Sequence, residues 1–578
     1  MPSRLRVLML VVVLVVLGAA GLALVSRWHH SLRVAHAPLA LVWDVPGDID
    51  EAPPTSGGGF SLADFRRDRL SLWDATGAIR GAAHDGDVRA LVLHVGEVEW
   101  GWGRVAEMRE AIAAFRAAGK PVYVSLQGGT NQSYLLVARA DHIGMPPTAN
   151  LYLDGLTASA MFLKGTYDKL GITPNFAHVG QFKSAVEQYT RTDLSPPARA
   201  AMEALLDDEF ALMADSIAAS RGWTADRVRA AIDEGPFTAS AAHRAGLVDT
   251  LLDEVGLDSL AVGHGSGALD TQSLERYAEG RDEGDGLGDQ VALIPAVGTI
   301  VSGRSHDSGW SGSDLGSETL IGALRDAREK HSVRAIVLRV DSPGGSGEAS
   351  DDVWQEIQRT RRVKPVVVSM SNLAASGGYY IACGADAIVS EPGTITGSIG
   401  VFGGKLNLIG LYRKLGLNIE TVSRGRHAEM MSQFRDFSPE ESARFQAQLE
   451  DFYRIFLSRV SAGRGIPVAR VDSLAQGHVW SGDAARRFGL VDTLGGLRTA
   501  IAIARQRAHI DPDRDVPVVI YPHPRSAYVR HMLGGLFDDR DDASRVALPS
   551  PVLAAWMRAA RFPTGAVLAM MPYAIDIH

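Results

Sequence analysis

A long internal repeat is the feature of this sequence that most constrains its fold. Two copies of one pattern follow each other in the same order, with corresponding segments about 245 residues apart (335 − 90 = 245). The matching segments are Ala90–Val95 with Ala335–Val340, Ala140–Asp141 with Ala385–Asp386, Tyr167–Gly171 with Tyr412–Gly416, and Gly246–Asp249 with Gly489–Asp492. Because segments typical of strands, helices and turns all recur, duplication of a whole domain is the simplest explanation.

The repeat divides the chain into domains. We predict an N-terminal anchor at 1–37, a first repeat at 38–256, a linker at 257–289, a second repeat at 290–505 and a C-terminal tail at 506–578. In each repeat nearly all-apolar strand segments alternate with helical segments. This alternation predicts an α/β fold whose sheets are covered on both faces. The linker is rich in Gly, Asp and Glu and lacks an apolar period. For the tail we favour ordinary packing over a membrane-surface helix.

Residues 7–25 are predicted to span a membrane. They contain no charged or strongly polar side chain, and Arg4, Arg6 and Arg27 flank them. At about 1.5 Å per residue, such a helix is roughly as long as the hydrocarbon core of a bilayer. A cleaved signal peptide is the alternative, but its apolar stretch usually has only about 7–15 residues. The flanking basic residues barely favour a cytoplasmic N-terminus.

Composition excludes several classes of site. The net charge is −9, with no block rich in Lys and Arg, so we predict no nucleic-acid partner. The one cysteine, Cys383, excludes an intrachain disulfide and a Cys-rich metal site, and we expect it in the core. No phosphate-binding glycine loop and no metal-ligand spacing of His and Glu is present. We therefore predict neither a metal nor a cofactor.

Two glycine-rich turns in the second repeat indicate acyl-transfer chemistry. Asp341–Gly345 directly follows a predicted strand, and Asn372–Tyr379 lies between a predicted strand and a helix. Ser376 would lie on a tight turn at a helix start, where unpaired N–H groups and the helix dipole favour negative charge. The N–H of Gly377 and one from Gly344 or Gly345 would form an oxyanion hole. The alternative is two plain glycine turns with Ser376 as a helix cap.

A nucleophilic serine needs a base. In the second repeat His331 ends a predicted helix and His427 lies among charged residues, and no Gly-x-Ser-x-Gly motif surrounds Ser376. The first repeat contains Lys183, whose neighbours Phe182, Ala185 and Val186 are apolar. A lysine acts as a base only if burial lowers its pKa toward neutrality. Sequence spacing alone does not place Lys183 near Ser376.

The two copies have complementary losses. Ser376 corresponds to Asn131 in the first copy (376 − 245 = 131), which also lacks the Asp341–Gly345 turn. Lys183 corresponds to Ala428 in the second copy (183 + 245 = 428). Each copy is therefore incomplete, and one composite site at the boundary between the halves would explain the pattern.

Four segments together resemble the signal peptide peptidase A family, also called protease IV, in its long double-domain form: Leu373–Tyr379, Ser342–Ser346, Thr396–Gly400 and Gln181–Glu187. The resemblance covers roughly residues 38–505, and the tail beyond Arg505 has no counterpart in it. It implies a ClpP/crotonase-like fold in each half.

The resemblance also implies the roles of individual residues. Ser376 is expected to be the nucleophile and Lys183 the general base of a serine peptidase, and Ser398 is expected to position the lysine. The oxyanion donors would be Gly377 and the Gly344–Gly345 turn. The family resemblance further implies a single-pass anchor in the bacterial cytoplasmic membrane, catalytic domains on the periplasmic side, a bowl-shaped homo-oligomer (a tetramer is suspected), and signal-peptide remnants as substrates.

Two alternative functions remain compatible with the residues. A crotonase-like acyl-thioester enzyme would also have glycine-rich oxyanion turns, but it typically needs a carboxylate at the site. A membrane-tethered scaffold with a dead site would not need Ser376, Lys183 and the glycine turn intact. The Gly/Ser-rich segment Ser302–Gly316 is a further candidate, for a flap over the site.

Overall fold

The structure is a computed structural model that describes residues 38–53, 70–263, 268–280, 288–308, 312–512, 514, 516–523 and 566–571. The predicted anchor at 7–25 lies outside these residues. Within the described part of the chain, no helix combines the length and apolar character needed to cross a membrane.

The first half alternates strands and helices. Its strands are β1 (Leu39–Val45), β2 (Val88–Val95), β3 (Val122–Leu126), β4 (His142–Gly144), β5 (Asn150–Leu151), β6 (Thr173–Val179), β7 (Phe237–Thr238) and β8 (Asp270–Ser273). Its helices are α1 (Leu72–His84), α2 (Trp102–Ala117), α3 (Asn131–Val137), α4 (Lys164–Leu170), α5 (Glu187–Thr190), α6 (Pro196–Arg221), α7 (Ala225–Glu234), α8 (Ala239–Ala245), α9 (Glu254–Val262) and α10 (Leu274–Glu279).

The second half repeats the alternation. Its strands are β9 (Gln290–Val297), β10 (Thr299–Val301), β11 (His306–Ser308), β12 (Gly312–Gly316), β13 (Val333–Ser342), β14 (Gly344–Ser346), β15 (Val366–Ala375), β16 (Ala387–Ser390), β17 (Ile395–Gly397), β18 (Val401–Asn407), β19 (Val479–Ser481), β20 (Thr493–Leu494), β21 (Val518–Ile520) and β22 (Leu568–Met570). Its helices are α11 (Ser317–Glu329), α12 (Gly347–Thr360), α13 (Gly377–Ala382), α14 (Ile409–Lys414), α15 (Pro439–Arg464), α16 (Val468–Leu474), α17 (Gly482–Arg487) and α18 (Leu497–Arg507).

Each half has a largely parallel sheet. The first sheet has the order β4-β3-β2-β1-β8, and the second has the order β19-β17-β15-β13-β9-β21, with β16 beside β15 and β20 beside β16. Neighbours within the first sheet are parallel. The central strands β2 and β13 are buried along almost their whole length. Their continuous apolar runs are typical of parallel strands that are covered on both faces, so the predicted α/β class is confirmed.

The longest helix of each half begins and ends with the same local signals. Both α6 and α15 contain 26 residues and have Pro at the first helical turn. Ser195 and Ser438 cap their first turns with the side-chain oxygen, as expected for such residues. Gly222 and Gly465 end them in the left-handed conformation, with φ of 67° and 65°. Matching local chemistry therefore gives matching helices in the two halves.

A third sheet joins the two halves and positions the site. Its order is β11-β12-β10-β14-β22-β18-β6. Strand β6 of the first half pairs antiparallel with β18 of the second half, from Val401 opposite Val179 to Asn407 opposite Thr173. The turn that follows β6 contains Lys183, and the turn that precedes β18 contains Ser398. Backbone pairing between the halves therefore brings these two turns together.

The segments between and beyond the repeats contain regular structure. The predicted linker is partly regular structure, since β8 pairs with the edge of β1 and Leu274 of α10 is fully buried. The tail is part of two sheets, because β21 pairs with β9 and β22 pairs with β14. The predicted flap includes β12, which pairs with β10. Backbone hydrogen bonds to neighbouring strands hold all three segments, and such bonds need no apolar period in the sequence.

Apolar packing and buried ions hold the halves together. Ala375, Ile395 and Val479 of the second half lie in the hydrophobic core of the first half. Nearby, Arg339 Nε lies 2.9 Å from a carboxylate oxygen of Glu51. Burial alone would raise the pKa of Glu51, but the guanidinium groups of Arg339 and Arg104 lower it to about 2. Such a buried pair fixes one arrangement of the halves, because an unpaired partner would cost several kcal/mol.

Candidate active site

Ser376 lies on a strained turn between β15 and α13. Its φ of 55° and ψ of −111° are unusual for a residue with a side chain, and such strain is common at functional sites. Its backbone N–H donates to Gly397 O over 2.8 Å, which ties the turn to the end of β17. A Cβ on the following residue, Gly377, would lie 2.7 Å from Ser350 Oγ. Only glycine therefore fits directly after the serine.

Lys183 lies in the turn after β6 and extends into the second half. Its Nζ lies 2.8 Å from Ser376 Oγ, 3.0 Å from the carbonyl oxygen of Ser398 and 3.0 Å from Ser398 Oγ. All three side chains are fully buried. The predicted meeting of Lys183 and Ser376 at the boundary between the halves is therefore confirmed as a contact.

The surroundings of Lys183 favour its neutral form. Burial lowers the pKa of Lys183 well below its ordinary value. A neutral amine has two N–H donors and one lone pair. The two oxygen atoms of Ser398 accept the two N–H bonds, and the lone pair is then left for the Ser376 hydroxyl. This arrangement allows a proton to pass from Ser376 to Lys183.

Ser398 belongs to a second tight turn. Its φ of 51° is again unusual for a residue with a side chain, and its backbone N–H donates to His478 O over 2.7 Å. Both oxygen atoms of the residue point at one amine as a result. The predicted partner of the lysine thus lies in contact with it.

The Gly344–Gly345 turn packs against the serine turn. Gly344 and Gly345 have φ of 93° and 158°, and a Cβ on Gly344 would lie 2.6 Å from the backbone nitrogen of Gly377. The N–H of Gly344 donates to Ser342 Oγ over 3.2 Å. Of the two glycines, Gly345, which lies opposite Ala569 of β22, is therefore the better candidate for an oxyanion donor.

A segment that sequence reasoning missed holds the lysine turn in place. Phe182 N–H donates to Gln476 O over 2.7 Å, and Gly477 N–H donates to Ile399 O over 2.8 Å. Gly477 has a φ of 79°, and a Cβ there would lie 2.5 Å from Lys183 N. Residues 476–478 thus contact both the lysine turn and the Ser398 turn. A glycine in the sequence indicates a turn, but not the partner on which it packs.

Aromatic rings cover this segment. The His478 ring stacks on Trp480 with 3.7 Å between ring centroids, and Phe182 meets the same imidazole edge-on at 4.5 Å. Burial lowers the pKa of His478, although its bond to Val479 O opposes the effect. The imidazole is therefore neutral at neutral pH and places no positive charge beside the amine.

The corresponding turn in the first half has a structural role. Asn131 occupies the position that corresponds to Ser376, at the start of α3, and its side-chain nitrogen donates to Gly155 O over 2.9 Å. The strand–turn–helix arrangement is thus retained, while the residue at the turn now ties down a loop.

Among the described residues, a cluster away from Lys183 and Ser376 has the residue types of a metal site. His94, Glu254 and Asp258 offer ligand atoms within 4.8 Å of one another. Both imidazole nitrogens of His94 already contact carboxylates, at 2.6 Å from Asp44 and 2.9 Å from Asp258. Burial lowers the pKa of His94, but these carboxylates raise it overall. This balance favours an imidazolium that bridges two carboxylates.

Cys383 has no place in the site. It is fully buried, and burial raises the pKa of its thiol to about 12. It is a core residue, as expected from the sequence.

A lysine buried against a serine, with glycine turns beside them in an α/β framework, identifies the chain as a serine peptidase. The chain belongs to peptidase family S49, whose profile matches residues 114–256 and 358–511. The two matched segments lie in the two halves of the chain.

Curated relatives align over most of the chain. Protease 4 of Salmonella typhi is 32% identical over 543 residues, which cover 89% of this chain and 86% of that protein. The chloroplastic serine protease SPPA of Arabidopsis thaliana is 36% identical over 456 residues, 77% of this chain and 67% of that protein. Among solved structures, a mutant of the 1510-N membrane-bound stomatin-specific protease superimposes with a TM-score of 0.26 and 15% identity, covering 40% of this chain and 97% of that chain.

Proposed function

We propose that this chain is a membrane-anchored serine endopeptidase with a Ser/Lys dyad that degrades cleaved signal peptides and other apolar peptides. Ser376 is the nucleophile and Lys183 is the general base. The 2.8 Å contact between Lys183 Nζ and Ser376 Oγ, with both groups fully buried, carries the proposal.

The mechanism follows from the protonation state of the lysine. Neutral Lys183 takes the proton from the Ser376 hydroxyl while the oxygen attacks the peptide carbonyl. The N–H groups of Gly377 and the Gly344–Gly345 turn, with Gly345 favoured, stabilise the oxyanion. Protonated Lys183 then gives its proton to the leaving amine. Water, activated by the same lysine, then hydrolyses the acyl-enzyme and releases the acyl product.

Ser398 is proposed as a positioning residue. Its two oxygen atoms hold the amine at 3.0 Å each. The lone pair of Lys183 is thereby directed at Ser376.

The membrane setting rests on the apolar run at 7–25 and on the relatives. We propose a single-pass anchor in the bacterial cytoplasmic membrane, with the catalytic domains on the periplasmic side. Apolar substrates suit the walls beside the dyad, where Ala185, Val186 and Phe402 are buried.

A homo-oligomer, with a tetramer suspected, is part of the same proposal. Large apolar side chains are exposed near α14, including Leu415, Leu417 and Val422, with Val422 82% exposed. Exposed apolar groups of this kind are typical of interaction surfaces.

The two alternative functions have less support. An acyl-thioester enzyme typically needs a carboxylate at the site, yet within the described ranges the hydrogen bonds of Lys183 Nζ lead to serine oxygens. A dead scaffold would not need the complete dyad.

Hydrolysis of an apolar peptide by the purified full-length chain tests the proposal. Ser376→Ala and Lys183→Ala should each remove activity by about 10⁴-fold or more, the scale seen when a nucleophile or its base is lost. Full activity of Lys183→Ala, with an unchanged melting temperature, would end the dyad proposal.

A further inference from the structure

The N-terminus of α2, in the first half, packs directly on β15, the strand of the second half that leads into Ser376. The helix has no side-chain cap from its own N-cap residue. Instead, the backbone N–H of Arg104 donates to Asn372 Oδ1 over 3.0 Å. A Cβ on Gly103 would lie 2.6 Å from the carbonyl carbon of Ser371. The second half therefore caps a helix of the first half, four residues before the nucleophile (376 − 372 = 4).

The side chain of Arg104 continues across the boundary between the halves. Its Nη2 donates to Asp341 Oδ2 of the second half over 2.8 Å. Its Nε donates to Glu51 Oε1 and its Nη1 donates to the carbonyl oxygen of Ile49, each over 2.8 Å. Only 15% of the Arg104 side chain and 9% of the Asp341 side chain are exposed. Because a guanidinium is planar and its N–H groups have fixed directions, these bonds set the position of the Asp341 carboxylate relative to the first half.

Asp341 lies where the backbone pairing between β13 and β15 is interrupted. Val340 lies opposite Met370, but Ser342 lies opposite Ala374. Two steps along β13 therefore match four steps along β15 (342 − 340 = 2; 374 − 370 = 4). Irregular pairing of this kind is common beside active sites, where it aims a side chain. Main-chain pairing alone thus does not fix how the ends of these two strands lie against each other.

The Asp341 carboxylate bridges this interruption. Its Oδ1 accepts the backbone N–H of Leu373 over 3.1 Å, three residues before Ser376 (376 − 373 = 3). In the other direction the chain runs from Asp341 into the Gly344–Gly345 turn. The carboxylate thus links the strand that carries the nucleophile to the strand that leads into the oxyanion turn, and Arg104 holds that carboxylate.

The guanidinium and the carboxylate each lack a counterpart in the other copy of the repeat. Arg104 corresponds to Ala349 in the second copy (104 + 245 = 349). Asp341 corresponds to Gly96 in the first copy (341 − 245 = 96). This is the same complementary pattern as that of the two dyad residues. The pair therefore belongs to the contact between the halves and not to the fold that the halves share.

We propose that Arg104 is a positioning residue for peptide hydrolysis, which acts through Asp341 on the two oxyanion donors. The proposal rests on the Ser/Lys function above. The N–H groups of Gly377 and Gly345 must converge on one oxygen atom, and they belong to the two segments that Asp341 links. Without Arg104 the carboxylate loses its bond to the first half, and the two turns are free to separate. The first half thus contributes a second group to the reaction besides Lys183.

Affinity for a tetrahedral adduct separates this role from a purely structural one. The hydroxyl of a catalytic serine adds to a peptide aldehyde, and the oxygen of the resulting hemiacetal lies in the oxyanion hole. Arg104→Lys keeps a buried positive charge, but an ammonium does not reproduce the planar arrangement of donors. We expect kcat to fall by at least about tenfold, as for a misplaced catalytic group, with KM changed by less than about twofold. The inhibition constant of the aldehyde should rise by the factor by which kcat/KM falls, because both depend on the same donors.

Arg109→Met is the matched control. Arg109 is a buried arginine on the same helix, but its hydrogen bonds lead to Leu135, Ser216 and Ser220 of the first half. This variant should lower the melting temperature, while kcat and the aldehyde affinity of the folded protein should change by less than about twofold.

Asn372→Ala is a second variant, which leaves both buried charges in place and removes the acceptor of the Arg104 N–H. Its kcat and aldehyde affinity should fall together by about 3- to 10-fold, the scale of one hydrogen bond. It keeps the test decisive if Arg104→Lys does not fold.

Wild-type kcat in Arg104→Lys overturns the proposal, or in Asn372→Ala if the former does not fold. A fall in kcat with unchanged aldehyde affinity also overturns it, and so does an equal fall in Arg109→Met. Failure of the peptidase function gives a different result, because the wild type itself would then neither hydrolyse a peptide nor bind the aldehyde.

Discussion

Lys183 Nζ and Ser376 Oγ lie 2.8 Å apart, although 193 residues separate them in the sequence. The two residues come from different halves of a duplicated chain, and a single interdomain sheet brings their turns together. The contact thus joins the two halves at one place, where each half contributes a group that the other lacks.

Activity should fall as pH is lowered through the depressed pKa of Lys183. Burial lowers that pKa in the folded enzyme, and only the neutral amine accepts the serine proton. The pH dependence of kcat/KM should therefore show an acidic limb set by this group. Lys183→Arg should be inactive at all pH values, since a guanidinium stays protonated. A profile that is flat down to about pH 5 would contradict the role of Lys183.

The lowered pKa of Lys183 also makes the stability of the protein depend on pH. Between the depressed pKa and the ordinary one, the unfolded chain binds a proton at Lys183 that the folded chain does not. The free energy of unfolding should therefore rise with pH across that window. Lys183→Met should flatten this rise, which urea titrations at several pH values would detect.

Ser398→Ala should reduce kcat by about 5- to 30-fold, as expected for one lost hydrogen bond of 1–2 kcal/mol. The remaining carbonyl of Ser398 still holds the amine, so activity should not vanish. Loss of an acceptor also disfavours the protonated amine, and the acidic limb should move to lower pH. Ser390 is another fully buried serine, and Ser390→Ala should not shift the acidic limb of the pH profile. An unmoved limb in Ser398→Ala would mean that the residue is merely structural.

Gly477→Ala should displace the lysine turn. A Cβ there would lie 2.5 Å from Lys183 N, and the φ of 79° already disfavours a side chain. Gly416 has a similar φ of 75° with no atom within 4 Å of a Cβ, so Gly416→Ala carries the backbone strain without the collision. We expect kcat of Gly477→Ala to fall by about 100-fold, as for a misplaced catalytic group. Equal kcat values for the two variants would refute a positioning role for residues 476–478.

Glu51→Gln should destabilise the protein by about 3–5 kcal/mol, because it removes the carboxylate that faces both Arg339 and Arg104 and leaves buried Arg339 with Glu107 alone. Since the pKa of Glu51 is lowered to about 2 in the folded state, its contribution is present above the unfolded pKa and is lost as pH falls toward 2. Asp226→Asn breaks an exposed pair with Arg229 and should change stability by less than about 1 kcal/mol. Urea unfolding of both variants measures the difference. Similar values would show that the interdomain ion pair does not hold the halves.

Local chemistry made much of the fold predictable. Serine caps, proline at the first turn and terminal glycines appear at the same places in α6 and α15, and apolar runs mark the parallel strands. The edge strands β8 and β21, and β22 between β14 and β18, were not predictable in this way. They are held by backbone hydrogen bonds to neighbouring strands, and these bonds leave no periodic signature in the side chains.

The sequence by itself determined the duplication, the α/β class, the serine between glycine turns and the complementary losses of the two halves. Only the tertiary structure decided that Lys183 reaches Ser376, that residues 476–478 hold the lysine turn, and that β22 pairs with both β14 and β18. The physical reason is that these contacts join segments far apart in the chain. Backbone pairing between β6 and β18 sets their distances, and the burial that lowers the pKa of Lys183 is a property of the whole surroundings, which no single segment encodes.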